Sequence, residues 1–328
     1  MRYEVEKMTD IVALGEVLID FTECGKSRDG MKIFEQNPGG APANMLTAAS
    51  HMGCSTAFIG KVGDDMHGHF LADTLKREGI DTSGIIIDKT CFTTLAFVGL
   101  DEKGERSFSF ARKPGADTML RKEELREDLI SSCKVFHFGS LSLTDEPARS
   151  ATFYAVDIAR KGGAVISYDP NFRAALWPDE KTAVSRMKEM LPLADMVKVS
   201  DEESLLLTGC TSYEKAADSI LSMGPSFVAV TLGSRGVLIS RKGTKEYIDA
   251  FKTESVDTTG AGDSFWGGFM SSFLSLKVPV DDASWEDLKK CAVTGNAVAA
   301  LCVQKRGGMP SIPLKEDVVS LLSKEEYV

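Results

Sequence analysis

The 328-residue sequence is short of long apolar runs and of paired cysteines. No apolar run approaches the roughly 18 residues of a membrane-spanning helix, and Ile11–Leu14 stops too soon at Gly15 to form the core of a signal peptide. The 7 cysteines are scattered, odd in number and never spaced C-x-x-C, so neither a disulfide framework nor a zinc site is predicted. We therefore expect a cytoplasmic protein in a reducing compartment, without a membrane as partner.

The sequence also has fewer basic than acidic residues: 38 Lys and Arg against 48 Asp and Glu give a net charge of −10. Nucleic acids and anionic membranes require a basic face, so we expect neither as the main partner. Three nucleotide-binding signatures are missing as well. They are the Walker A loop, the protein-kinase H-R-D and D-F-G set, and a G-x-G-x-x-G after a strand. The last absence disfavours a nicotinamide-dependent oxidoreductase.

Short apolar runs alternate with longer amphipathic segments along the whole chain. The predicted strands are Ile11–Leu14, Ala57–Val62, Val135–Phe138, Ala164–Tyr168, Met196–Val199, Phe227–Leu232 and Val237–Ser240. The predicted helices are Pro42–Met52, Gly68–Arg77, Lys122–Ser132, Glu146–Arg160, Lys181–Leu191, Tyr213–Ser222, Ala261–Ser275, Trp285–Val303 and Lys315–Leu322. Strands that are apolar throughout and separated by helices predict an α/β protein with a parallel sheet covered on both faces. We expect one domain over residues 1–328.

Two stretches differ from this pattern. Thr22–Gln36 is polar and contains glycine, and Thr93–Arg112 alternates around a turn-like cluster, Asp101–Gly104. Both predict strands with one wet face. We interpret them as a small β-sheet lid, formed by about residues 19–38 and 92–113, beside the main sheet. Plain surface hairpins are the alternative.

The segment from Asp257 to Phe265 carries the strongest chemical signal. Apolar residues at four-residue spacing follow it, so Gly260-Ala261-Gly262 lies where a packed helix begins. Backbone amides at a helix start are unpaired, and small residues let an anion approach them. Asp263, in the first turn, could accept a proton from an attacking hydroxyl. The alternative is an ordinary helix start, but two glycines there cost about 1 kcal/mol each relative to Ala, which favours a functional reason.

A second segment, Asn37–Asn44, also precedes a predicted helix. Gly39 and Gly40 bring backbone close to a ligand, and Pro42 suits the first helical turn. The Asn44 side chain offers a donor and an acceptor, as sugar hydroxyls require. Taken alone, this segment is equally well explained by an ordinary turn and helix start. The strand end and helix start at Gly60–Gly68, taken alone, is better explained by a plain turn.

Together these segments resemble the PfkB, or ribokinase-like, family of carbohydrate kinases. Gly39–Asn44 and Gly60–Gly68 are similar to the family's N-terminal motif, and Asp257–Asp263 is similar to its C-terminal motif. The resemblance covers nearly the whole chain. It implies a three-layer α/β/α sandwich with a mostly parallel central sheet, and a small β-sheet lid that closes over the sugar.

Position by position, the resemblance implies a catalytic base at Asp263 and an anion hole formed by the amides of Gly260, Ala261 and Gly262. It also implies a set of sugar-binding residues: Asp20, Gly39, Gly40, Asn44, Phe110, Arg112, Asn171 and Arg173. For Arg173, a structural salt bridge is the alternative.

The resemblance further implies ATP and Mg²⁺ as cofactors. The expected ATP-binding residues are Lys198, Ser200, Thr231, Gly233, Gly236 and Asn296. Glu203 is expected to act on magnesium indirectly, within the family's N-x-x-E motif, where Ser200 stands in place of the usual Asn. Many family members hold a monovalent cation beside the anion hole, which implies a candidate K⁺ site at Asp257 and Thr259.

Within the family, Phe110–Asp117 and Asp169–Arg173 most resemble fructokinases, so the expected reaction is fructose to fructose 6-phosphate. Kinases of 2-keto-3-deoxygluconate share the pattern, with arginines that meet a carboxylate. Ribose, a nucleoside and tagatose phosphate stay open as acceptors. A non-catalytic sugar or nucleotide sensor is an alternative of another class, which the intact Asp263 disfavours. Lids in this family sometimes pair, so a homodimer through the lid is a further expectation.

Overall fold

A computed structural model of the protein describes residues 8–100 and 106–324, and the side chains of residues 100 and 106–108 are not described. The turn predicted at Asp101–Gly104 lies outside the described residues. The strands, numbered in chain order, are β1 (Ile11–Leu14), β2 (Leu18–Lys26), β3 (Lys32–Gly39), β4 (Thr56–Gly63), β5 (Ile80–Asp88), β6 (Leu95–Leu100), β7 (Arg106–Ala111), β8 (Val135–Gly139), β9 (Val165–Asp169), β10 (Met196–Ser200), β11 (Phe227–Thr231), β12 (Val237–Arg241) and β13 (Thr244–Ile248).

The α-helices are α1 (Ala41–His51), α2 (Met66–Arg77), α3 (Glu127–Ser131), α4 (Ala148–Lys161), α5 (Glu180–Met190), α6 (Asp201–Thr208), α7 (Tyr213–Ser222), α8 (Ala261–Leu276), α9 (Trp285–Cys302) and α10 (Lys315–Lys324). Short 3₁₀ turns lie between them. None of the helices within the described ranges has both the length and the apolar character needed to cross a bilayer.

The larger sheet contains nine of the described strands, in the order β13-β12-β11-β10-β9-β8-β1-β4-β5. All neighbours from β11 to β5 pair in parallel, whereas β12 and β13 are added antiparallel at one edge. The mostly parallel sheet predicted from the sequence is therefore confirmed. Its carboxyl-terminal edge gathers the loops that follow β1, β9, β10 and β11, and these loops form the site.

The strands of this sheet are apolar on both faces because helices cover both faces. In β1, Val12 and Leu14 pack in one core with residues of α4, α5 and α7. Ile11 and Ala13 face the opposite side, in a second core with α1, α2, α8 and α9. Each fully buried aliphatic side chain of this kind contributes roughly 1.5–3 kcal/mol. The three-layer α/β/α sandwich is thus confirmed.

A smaller sheet stands apart from the first, in the order β3-β2-β6-β7. Strands β2 and β6 pair in parallel, and the other two pairings are antiparallel. The two polar stretches that the sequence set apart supply all four strands. Leu18, Asp20 and Val98 of this sheet line a cavity that also reaches the edge of the main sheet. Closing of this sheet as a lid, and the single-domain boundaries, stay predictions.

One predicted helix is broken. The helix expected at Lys122–Ser132 is a 3₁₀ turn at Lys122–Glu124 followed by the short α3. Glu124 explains the break, because its carboxylate accepts the backbone N–H of Arg121 and also binds Lys61 Nζ of β4 at 2.7 Å. These contacts hold the segment against the sheet instead of letting the helix continue.

Candidate active site

The site is built around the start of α8. Gly260 is the N-cap residue, in the left-handed region with φ 76°, and no side chain caps this helix. The Asp257 carboxylate, three residues before the N-cap, accepts the N–H groups of Thr259 and Gly307. The amide of Ala261 donates to Thr258 O at 3.2 Å. Within the described residues the Gly262 amide has no such acceptor, as an anion-binding helix start requires.

Asp263 lies in the first turn of α8 and lines the cavity. Its Oδ2 accepts a 2.8 Å hydrogen bond from Asn44 Nδ2, which comes from the first turn of α1. Burial raises the pKa of Asp263, and the positive charge of Lys198 acts against that rise. A partly desolvated carboxylate with one oxygen held by an amide is a suitable proton acceptor for a hydroxyl.

Lys198, the central residue of β10, forms a buried ion pair beside the start of α8. Its Nζ donates to Asp169 Oδ2 at 2.8 Å, and the two side chains are only 6% and 3% exposed. Burial opposes the charge of the lysine, but Asp169, Glu203 and Asp263 together raise its pKa. Lys198 therefore brings a permanent positive charge to the cavity wall, as the predicted ATP-binding role requires.

The turn between the small sheet and α1 carries Gly40, whose φ is 113°. A Cβ at this position would overlap the carbonyl oxygen of Glu16, so only glycine fits. The Glu16 carboxylate takes over the missing cap, because its Oε1 accepts the N–H of Ala41 at 2.9 Å. This start fixes α1 so that Asn44 reaches Asp263. Burial raises the pKa of Glu16 to about 7.

Two cavities meet at the start of α8. The first, of about 510 Å³, lies between the small sheet and the main sheet. The second, of about 570 Å³, lies between the turn after β11 and the helix α9. Ala261, Gly262, Thr231, Gly233 and Thr258 line both. Ala261 and Gly262 therefore lie where a ligand in one cavity would touch a ligand in the other, and Asp263, the next residue, lines the first cavity.

Most of the predicted sugar-binding residues line the first cavity: Asp20, Gly40, Asn44, Phe110, Asn171 and Arg173. Burial raises the pKa of Asp20 to about 6, with Arg173 acting in the opposite direction. Within the described residues, no carboxylate lies at ion-pair distance from Arg173, so the alternative of a structural salt bridge is not seen there. Gly39 does not line the cavity but lies directly against the Asp20 carboxylate.

Arg112 is not brought into the cavity. Its guanidinium is 3% exposed and pairs with Asp117 at 2.7 Å. It also donates to Thr144 Oγ1 and to the carbonyl oxygen of Leu141, both at 2.8 Å. Because its donors are occupied by the protein, the expectation that Arg112 binds sugar oxygens is replaced by a structural role behind the cavity wall.

The predicted nucleotide residues divide between the cavities. Lys198 and Ser200 line the first, Thr231 and Gly233 line both, and Gly236 and Asn296 line the second. Asn296 Nδ2 donates to the carbonyl oxygens of Ile248 and Asp249 at 3.2 and 3.0 Å, so its amide anchors the wall. Ala250, Phe265, Ala299 and Val303 make this second cavity apolar, as a purine base prefers.

Glu203 lies at the start of α6 and lines the first cavity. Its two oxygens accept the N–H groups of Phe172 and Ser200 at 2.6 and 2.8 Å, and Ser200 Oγ caps the helix in return. No group of three or more His, Cys, Asp or Glu side chains in the described ranges is placed to hold a metal. The indirect role of Glu203 toward Mg²⁺ stays a prediction, and any such contact would be made by oxygens that each already accept a backbone N–H.

Asp257, assigned with Thr259 to a candidate K⁺ site, is buried beside the helix start and does not line either cavity. Its carboxylate accepts both the N–H and the hydroxyl of Thr259, at 2.9 and 2.7 Å. These contacts fix the turn before Gly260. The K⁺ site stays a prediction.

Two residues at the site were not singled out from the sequence. Glu16 follows β1 and lines the first cavity, and Asp169 ends β9 and holds Lys198. Both are acidic residues at or just beyond the carboxyl end of an apolar strand. In a parallel sheet the carboxyl ends of neighbouring strands meet at one edge, and this rule could have identified both residues.

An anion-binding helix start, a carboxyl in its first turn and a hydroxyl-binding cavity on one side define a phosphotransferase that acts on an alcohol group. The apolar second cavity supplies space for a nucleotide. The chain belongs to the pfkB family: a sequence profile described as "pfkB family carbohydrate kinase" matches residues 8–315. The protein is therefore a carbohydrate kinase.

Similar proteins cover nearly the whole chain. "Probable fructokinase-4" of Arabidopsis thaliana is 42% identical over 315 residues, covering 95% of this chain and 96% of that protein. A fructokinase from Xylella fastidiosa, solved with bound ATP, has a TM-score of 0.89 at 33% identity, over 97% of this chain and 99% of that one. A fructokinase from Vibrio cholerae O395, solved with fructose, ADP and a calcium ion, has a TM-score of 0.86 at 31% identity, over 96% and 99%.

Proposed function

We propose that this protein transfers the γ-phosphoryl group of ATP to fructose, giving fructose 6-phosphate and ADP. One observation carries the proposal: Gly262 lines both a polar and an apolar cavity, and the carboxylate of the next residue, Asp263, lines the polar one. The polar cavity takes the sugar and the apolar cavity takes the adenosine, so the γ-phosphate reaches the helix start. The likeness to fructokinases over nearly the full length supports fructose as the acceptor.

In the proposed mechanism, the O6 hydroxyl of fructose lies between Asp263 and the γ-phosphorus. Asp263 takes the hydroxyl proton while the O6–phosphorus bond forms and the bond to the β–γ bridging oxygen breaks, releasing ADP. The amides at the start of α8 and the charge of Lys198 stabilise the phosphoryl oxygens. Mg²⁺ bound to the nucleotide supplies further positive charge. Asn44 keeps one oxygen of Asp263 occupied, so the other faces the proton.

Asp20, Asn171 and Arg173 orient the sugar in this proposal, and the small sheet closes over it. Closing excludes water, which would otherwise compete with the sugar for the phosphoryl group. A sugar acid such as 2-keto-3-deoxygluconate would need cationic partners for its carboxylate. Arg112 is already paired with Asp117, which leaves Arg173 as the arginine of the cavity lining and favours the neutral sugar.

The decisive experiment measures ADP release with Mg-ATP across fructose, ribose, 2-keto-3-deoxygluconate, a nucleoside and tagatose 6-phosphate. We expect the highest kcat/KM with fructose, and one phosphorylated product at O6 by NMR. A higher kcat/KM with another acceptor would replace fructose by that acceptor. Sugar binding without ADP release from any acceptor would favour a sensor. Adding K⁺ to the same assay tests the candidate site at Asp257 and Thr259.

A homodimer through the small sheet is part of the proposal. Met31, Ile33, Phe34 and Phe97 of that sheet and its turn are exposed, and the rings of Phe34 and Phe97 contact each other. Sedimentation of the protein and of a Phe34→Asp variant tests the pairing; two monomers would reject it. The cytoplasmic location stays a prediction.

A further inference from the structure

Asp169 is the last residue of β9 and joins two parts of the site. Its Oδ2 accepts the Lys198 ammonium at 2.8 Å. Its Oδ1 accepts the backbone N–H of Asn171 at 3.2 Å, and Asn171 adopts a positive φ of 45° in the loop that carries Arg173. The carboxylate is buried, with 2% of the residue exposed. One side chain thus fixes both the sugar-side loop and the cationic group on the phosphate side.

The position of Lys198 leaves little freedom. A Cβ added to Gly262 would lie 2.8 Å from Lys198 Nζ, so the ammonium rests directly against the second residue of α8. Asp263 and Glu203 are the other carboxylates whose charge acts on Lys198. Without Asp169, the ammonium would move toward one of them, and attachment to Asp263 would occupy the oxygen that has to accept a proton.

We propose that Asp169 is a positioning residue, which holds Lys198 beside the helix start and away from Asp263 so that the base stays available. The proposal rests on the proposed function, because it assigns Asp169 a task in the same reaction. It differs from a purely structural role in one respect. Asp169 matters through Lys198, so removing Lys198 should remove most of the effect of changing Asp169.

The groups that act on Asp263 come from several elements. They are Asn44 of α1, Asp20 of β2, Asp169 of β9, Lys198 of β10, Arg173 of the loop after β9, and Asp257 and Cys302, which share its surroundings. Lys198 lowers the pKa of Asp263 and Asp169 raises it. Loss of the Lys198 charge should therefore raise the pKa of Asp263, and loss of the Asp169 charge should lower it.

The experiment compares wild type, Asp169→Asn, Lys198→Met and the double variant in steady-state assays, with the best acceptor from the sugar panel. For Asp169→Asn we expect kcat to fall about 10- to 100-fold while KM for the sugar changes less than about threefold. The double variant should be no slower than Lys198→Met alone. If the two losses multiply instead, Asp169 does not act through Lys198 and the proposal is overturned.

The pH dependence of kcat gives a second readout. The acidic limb should move to lower pH in Asp169→Asn, to higher pH in Lys198→Met, and lie between them in the double variant. A general loosening of the site would move all three in one direction, which would reject the proposal. Asp169→Asn leaves the Lys198 ammonium buried without its partner and could fail to fold. In that case the double variant, which removes both charges of the pair, is compared with Lys198→Met alone.

Asp195→Asn is the matched control. Asp195 precedes β10 at the opposite end of the same strands, accepts the N–H of Ile166 at 2.7 Å and lines neither cavity. It should keep wild-type kcat and pH dependence. If the wild type phosphorylates no sugar in the panel, the proposed function is rejected. The role of Asp169 is then tested by the affinity for ATP, measured by calorimetry. Asp169→Asn should weaken ATP binding only in proteins that still contain Lys198. An active wild type with a fully active Asp169→Asn rejects the positioning role alone.

Discussion

Among the described residues, two ion pairs have both side chains almost fully buried, and of these two only the pair with Lys198 borders a cavity. Arg112–Asp117 and Lys198–Asp169 are alike in length, 2.7 and 2.8 Å, and all four side chains are at most 6% exposed. Asp117, Thr144 and Leu141 take up four of the five N–H groups of Arg112. Among the described residues Lys198 donates to Asp169 alone, and its ammonium has further donors to offer. Burial and charge do not identify a functional cation; donors left over for a ligand do.

The largest effect is expected at Asp263, the predicted base, whose carboxylate lies near Lys198. Asp263→Asn keeps the shape of the side chain but cannot accept the proton. We expect kcat to fall by about three to four orders of magnitude, equivalent to about 4–5.5 kcal/mol, with ATP and sugar still bound. Steady-state kinetics and calorimetry measure both. Asp287→Asn, in the first turn of α9 and outside both cavities, is the control and should be fully active. Near-normal turnover of Asp263→Asn would rule out the assignment of the base.

The second test addresses Arg112–Asp117, the pair that lies outside the cavities. Arg112→Met leaves Asp117 buried without its cation, and we expect the free energy of unfolding to fall by about 3–5 kcal/mol. The kcat of the folded fraction should stay within about threefold of wild type, since Arg112 lies outside the cavity. Urea unfolding and kinetics give the two values. Arg126→Met, which breaks the exposed pair with Asp128, should change stability little. A large rise in KM for the sugar in Arg112→Met would show that Arg112 contributes to sugar binding after all.

The third test displaces Lys198, of the Lys198–Asp169 pair, without removing a charge. Gly262→Ala places a methyl group against Lys198 Nζ, and we expect kcat to fall about 10- to 100-fold, equivalent to about 1.4–2.7 kcal/mol. Stability should be kept or rise slightly, because Ala is the better helix former. Adding Gly262→Ala to Lys198→Met should then have little further effect on kcat. A large additional loss would mean that the methyl group blocks the phosphate itself.

The smallest effect is expected from the pair formed by His51 and Glu78. The hydrogen bond from His51 to Glu78, 2.8 Å long, raises the pKa of His51 above its ordinary value of 6.5. The folded state thus binds the proton more tightly than the unfolded state. This stability is complete below pH 6.5 and is lost as pH rises through the raised pKa. His51→Gln should therefore cost about 0.5–1 kcal/mol at low pH and less at high pH.

Thermal unfolding of wild type and His51→Gln at about pH 6 and about pH 9 measures the difference. Glu78→Gln should show the same pH dependence, since it removes the other half of the pair. A gap between the melting temperatures that is independent of pH would mean that His51 contributes through packing alone.

The central part of the fold could be predicted from the sequence because its strands are buried on both faces. β1 matches the predicted Ile11–Leu14, and α8 begins at Ala261 as predicted. The strands β5 and β13 were missed. They are the two edges of the larger sheet, where one side has no partner, and β13 has no fully buried residue. Without a continuous apolar run, an edge strand resembles a loop in the sequence.

The site was predictable where its chemistry is local. Gly260, Gly262 and Asp263 are neighbours in sequence, so their arrangement follows from one helix start. Arg112 and Lys198 could not be told apart in the same way. Their roles depend on partners as distant as Thr144 and Asp169, 32 and 29 residues away, which only the packing of the strands brings together.

The strand order of the larger sheet also bears on how the chain is made. β4 and then β5 extend the sheet on one side of β1, and β8 to β13 extend it one by one on the other. Every new strand meets its partner at an open edge, and none has to insert between strands already paired. A chain emerging from the ribosome can therefore assemble this sheet in the order of synthesis, with β1 as its seed.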